Sequence, residues 1–87
     1  MNRAEVLAAA SQAVTVDRAE THGDIKESFT EIAQIWSART GANITPARVA
    51  IMMIDLKGVR AWHNPEHEDN WVDIAGYAAC GGEIAGD

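Results

Sequence analysis

Asp55-Leu-Lys-Gly-Val-Arg-Ala-Trp-His-Asn-Pro-Glu-His-Glu-Asp-Asn-Trp-Val-Asp-Ile-Ala-Gly-Tyr77 ends one apolar helix, turns through Asn64-Pro65 and opens a second helix. The residue before a proline avoids the helical region and proline cannot continue the hydrogen-bond ladder, so the break falls at Asn64-Pro65. Upstream, Thr45-Pro46 gives a capping hydroxyl followed by proline at the first helical position, which starts the helix there and predicts 46–63. At 1.5 Å per residue that helix is roughly 26 Å long. Val49, Met52, Met53, Leu56 and Val59 form one stripe along it, and Ile51, Ile54, Gly58 and Trp62 lie on the opposite side. A helix apolar on both sides belongs in the middle of an assembly, so this third helix is expected to be the core. Downstream, Asp69 or Asn70 is expected to cap a fourth helix over 70–84, packing through Trp71, Ile74, Ala75 and Ala78. Its small residues, including Gly76 and Gly81, permit close helix approach.

Working outward, Asn2 with Glu5 forms a capping-box pattern and starts a helix over about 3–14. Thr15 to Gly23 reads as irregular, with a helical turn available at Asp17–Glu20 and a turn at His22-Gly23-Asp24. Asp24 caps a second helix over 25–40, with Glu27 completing another box, and Ile25, Phe29, Ile32 and Trp36 make its buried stripe. Gly41 closes it. The expectation is an all-α, single helical domain over 1–87.

The 87 residues carry a net charge of −6, with 47% hydrophobic content, two prolines and one cysteine. The hydrophobic content argues against disorder, and the negative charge disfavours binding to a nucleic-acid backbone. A helix-turn-helix reading of the third and fourth helices fails on the same ground, because the would-be recognition helix has acids and no Lys or Arg. A lone Cys80 forms no intrachain disulfide and suits a reducing compartment. Val6–Ala10 is too short for a signal-peptide core and nothing approaches membrane-spanning length. A cytoplasmic protein with no membrane partner is expected. So small a chain, with a two-sided apolar helix, is also expected to form a homodimer.

Several residues carry candidate chemistry. Glu27 and Glu31, and Asp69 and Asp73, are acid pairs one helical turn apart on two helices, and their carboxylates would hold Mg2+ if those helices faced each other. Arg60 falls within the Leu56 stripe and Lys57 on its flank, a basic pair suited to phosphate oxygens. The alternative is an ion pair of Arg60 with Asp73 or Asp69, while Lys57 extends its amine to solvent. His63 and His67 have the spacing of helical zinc ligands, but Pro65 breaks the helix between them. Trp36 and Trp71 fit core stripes. Trp62 fits an oligomer interface or a pocket wall.

The order His22-Gly23-Asp24, Ile44-Thr45-Pro46, Met52-Met53-Ile54-Asp55-Leu56-Lys57-x-x-Arg60, His63-Asn64-Pro65 and Asp69-x-Trp71-Val72-Asp73-Ile74-Ala75-Gly76-Tyr77-Ala78 resembles a small phage and prophage domain family of unassigned function. The likeness covers roughly residues 18–84. More distantly the chain looks like the MazG-like, all-α nucleoside triphosphate pyrophosphohydrolases. That resemblance implies a four-helix, MazG-like bundle completed by dimerisation, in which a magnesium-activated water splits a nucleotide between its α and β phosphates. Carried over, Glu27, Glu31 and Asp73 are the catalytic acids, with Asp69 added to the metal set. Lys57 and Arg60, with Asn70 and Tyr77, are the substrate-binding residues. The pattern departs from the enzymes in having Glu27-x-x-x-Glu31 for Glu-x-x-Glu, and Asn70 where a carboxylate is wanted ahead of Asp73. A rival expectation follows from that departure: a non-enzymatic phage protein that inhibits a host factor or defence system, in the manner of an anti-CRISPR.

Overall fold

In the computed structural model, which describes residues 1–17 and 24–87, the first three α-helices start where the chain supplies the right terminal chemistry. The Thr15–Gly23 reading falls largely outside the described residues. Helix α1 (Arg3–Gln12) opens with the reciprocal box: Glu5 N–H donates to Asn2 Oδ1 at 2.9 Å and Asn2 N–H to Glu5 Oε1 at 3.1 Å. It does not run regularly to residue 14, but widens into a π-helical turn at Ala13–Asp17. Helix α2 (Ile25–Thr40) is capped by Asp24, which accepts from Lys26 N–H. Glu27 returns no bond to Asp24, so the expected second box does not close. Gly41, at φ 74°, ends α2 in the left-handed conformation that glycine adopts without a Cβ penalty. The Ser37 hydroxyl then both donates to Ile44 C=O and accepts from Ile44 N–H, pinning the return of the chain.

Helix α3 (Pro46–His63) begins at the Thr45 cap, whose hydroxyl accepts from Arg48 N–H. Helix α4 (Glu68–Gly86) returns antiparallel to it after a short turn. Its start corrects the expected cap. His67, which makes no side-chain capping bond, holds the cap position, and Asn70 lies buried inside the first turn. Among the described residues these four α-helices are joined by no β-strand.

The most extensive packing is between α3 and α4. It depends on small residues, since a Cβ added to Gly81 would stand 2.8 Å from the Ala50 Cβ; against the Ala13–Asp17 turn, one added to Gly76 would stand 3.0 Å from Val14 Cγ1. The main cluster joins Phe29 and Ala33 of α2 to Val49 and Ala50 of α3, with Tyr77 and Ile84 of α4 packed against it. Burying a side chain such as Phe29 contributes about 1.5–3 kcal/mol. Lys26 Nζ meets Asp87 Oδ2 at 2.9 Å, linking the start of α2 to the end of α4 and raising the Lys26 pKa through that hydrogen bond and charge.

Two expectations about faces need correction. Of the expected face of α4, Ile74 and Ala75 are half-buried but Trp71 and Ala78 are exposed; the best-covered positions are Asn70, Val72, Gly76 and Cys80, with Asp73 and Tyr77 half-buried. Helix α3 is likewise not surrounded within this chain. Its covered positions are Val49, Ala50 and Ala61, while Ile51, Met52, Leu56, Val59 and Trp62 remain exposed.

Candidate functional site

The acids expected to converge are spread apart. Glu27 and Glu31 are exposed on α2, bordering an open depression with Lys26 and Gln34. Asp69 is exposed in the first turn of α4. Asp73 Oδ2 sits 2.8 Å from Lys57 Nζ, and the two side chains retain 39% and 16% of their exposure. Among the described residues, no group of three or more His, Cys, Asp or Glu side chains lies close enough to hold a metal ion. Magnesium commonly keeps several waters and takes one or two carboxylates, so what the single chain lacks is the four-acid set expected from the sequence. The obstacle is the placement of the acids together with the ammonium already seated on Asp73.

Of the expected substrate contacts, Lys57 meets Asp73, which lines a small cavity together with Tyr77, whereas Arg60 stands apart. Lys57, expected to reach into solvent or toward phosphate, instead turns into the α3–α4 seam to meet Asp73. Arg60 is exposed and forms no ion pair with a described residue, in place of the alternative in which it would hold Asp73 or Asp69. Asn70 retains 7% exposure. Tyr77 packs inward, its ring stacked on Phe29 with centroids 6.3 Å apart and planes at 26°.

What the hairpin does build is an apolar groove. Gly58, Ala61 and Trp62 of α3, Pro65 of the turn, and Trp71 and Ile74 of α4 line an open cavity of about 380 Å³. Two local features create it. Gly58 carries no side chain to fill the space above α4, and the Trp71 Nε1–H donates to Pro65 C=O at 2.9 Å, fixing that indole along the turn. Trp62 stands at the rim with 84% of its surface exposed, and Trp71 with 47%. An indole so open to water makes the groove a place where apolar surface remains to be covered. Acids Glu66, Glu68 and Asp69 are exposed in the turn and the adjoining first turn of α4. Sequence reasoning had Trp62 at a pocket wall or an interface, but assigned Trp71 to the core by its place in an apolar stripe. The bond to Pro65 that holds it aside leaves no periodic signal.

Fold and groove define a small helical domain with an open groove rimmed by two indoles. The chain belongs to the family described as Domain of unknown function (DUF6378), whose model matches residues 5–85. It is similar to the Gene 55 protein of Mycobacterium phage L5, with 45% identity over 74 residues covering 84% of this chain and 47% of that protein. It is also similar to the Gene 55 protein of Mycobacterium phage D29, at 32% identity over 75 residues, 86% of this chain and 50% of that protein. The chain thus spans about half the length of these curated relatives. No solved structure matches. The resemblance to a small phage family of unassigned function holds at that level. No helix among the described residues is long and apolar enough to cross a membrane.

Proposed function

We propose that this domain is a non-catalytic protein-binding module of phage origin that engages a host protein in the host cytoplasm through the groove rimmed by Trp62 and Trp71. The observation that carries this reading is Trp62, a large indole 84% exposed beside an apolar cavity. Binding hot spots are enriched in tryptophan, set in pockets that a partner's side chain can desolvate. The exposed acids beside the groove and the net charge of −6 favour a partner that presents an apolar anchor among basic residues.

The test is affinity capture from host lysate with the wild-type chain and the Trp62→Ala variant in parallel. A specific partner retained by the first and lost by the second, with unchanged thermal unfolding of the domain, is the expected result. Equal retention by both would remove the groove from the interaction.

The nucleotide reading keeps one supporting observation, the open face of Trp62, against which a base can stack. As a magnesium-dependent pyrophosphohydrolase it requires Glu27, Glu31, Asp69 and Asp73 to be brought together by a rearrangement or a second subunit. Pyrophosphate release from a panel of NTPs and dNTPs with magnesium, abolished by Glu27→Gln, would displace the binding-module reading.

A further inference from the structure

Helix α3 carries a second surface, next to the groove and distinct from it. Counted in sevens, Ala50, Ile54, Lys57 and Ala61 fall at the b and f positions and are covered or half-covered by the rest of the chain, as is Met53 at an e position. Met52, Leu56, Val59 and His63 then fall at the d, a, d and a positions, and all four are exposed, Val59 to 61%. Val49, one turn earlier in the same row, is fully buried by α2, so the open seam begins at Met52. A row with the spacing of a coiled-coil seam is thus left on the outside of the domain.

The charges beside that row decide what covers it. Asp55 occupies the g position and Arg60 the following e position, and neither forms an ion pair with a described residue of its own chain. In a parallel pair of helices a g residue faces the e residue five places further along the partner, which is the separation of Asp55 and Arg60. Two copies related by a two-fold axis would form that ion pair twice. An antiparallel pair sets g against g and e against e, so that over the same seam Asp55 faces Trp62 and Arg60 faces Met53 of the other copy, and neither charge finds its opposite. The seam is therefore complementary to itself in one orientation, as an isologous interface requires.

We infer that two copies of this chain associate through α3, aligned parallel, with Met52, Leu56, Val59 and His63 in the seam and Asp55 of each copy paired with Arg60 of the other. The inference is independent of what occupies the groove. Parallel alignment places the two Trp62 side chains at the same end of the dimer.

Sedimentation equilibrium of the full chain tests it. The wild type is expected to dimerise at micromolar concentration, and Asp55→Arg and Arg60→Asp are each expected to weaken the dimer about tenfold or more. Mixing those two single variants restores the complementary charges and is expected to restore dimers, as is the double variant. Circular dichroism confirms that each variant folds. A wild type that stays monomeric throughout the micromolar range, or a dimer indifferent to both charge reversals, would overturn the inference. Orientation is read by oxidising His63→Cys in a Cys80→Ala background. A cross-linked dimer is expected, whereas a dimer with no cross-link overturns the parallel arrangement.

Discussion

Lys57 and Asp73 show how a single contact decides between a site and a strut. A carboxylate free to bind a cation needs open lone pairs, and Lys57 Nζ at 2.8 Å occupies the Asp73 oxygen while both side chains are partly withdrawn from water. Removing one partner strands the other. Asp73→Asn is expected to destabilise the domain by about 1–2 kcal/mol, a buried-pair cost reduced for the remaining solvent screening. The double change Lys57→Met with Asp73→Leu is expected to lie within about 1 kcal/mol of wild type. Urea denaturation of the wild type and these two variants checks this. Helical spacing correctly put Arg60 beside Leu56, but an arginine in an apolar stripe implies a buried charge only if the stripe is covered. Leu56 and Val59 are exposed, so Arg60 incurs no burial cost. Periodicity shows that faces exist; it does not show which of two apolar faces the rest of the chain covers.

The helices themselves were legible because their terminal chemistry is local. Asn2 with Glu5, Asp24, Gly41 and Thr45-Pro46 each act within a few residues, and each performs its expected terminal role. The orientation of α4 was not legible. Periodicity placed Trp71 in the core stripe, whereas the actual contact uses absent side chains, with Gly81 against Ala50 and Gly76 against Val14. Sequence marks such glycines as weak helix formers without saying which one touches a neighbour. Two substitutions separate the roles. Gly58→Ala, whose new Cβ would meet nothing within 4 Å, is expected to stabilise the chain by about 0.5–1 kcal/mol through helix propensity. Gly81→Ala, forced against Ala50, is expected to cost about 1–3 kcal/mol by driving α3 and α4 apart. Thermal unfolding of both variants reads the opposite signs directly.

At the scale of the whole molecule, an 87-residue chain has too little interior to cover every apolar face it makes. The cluster around Phe29 and Val49 uses one side of α3, and the opposite side is left outward. This is why fold class could be read from the sequence while the candidate site could not. A core follows from pattern, but a groove follows from the relative placement of Gly58, Pro65 and two indoles on different elements. The same placement gives the domain its own optical reporter. Of its three tryptophans, Trp36 is half-buried and Trp71 is partly shielded beside Pro65, so the 84%-exposed Trp62 is the one most accessible to a collisional quencher. Acrylamide is expected to quench a fraction of the emission that disappears in Trp62→Ala, and a ligand seated in the groove is expected to shift the remaining spectrum toward the blue while protecting it. Occupancy of the groove can thus be followed by fluorescence without attaching a label to the protein.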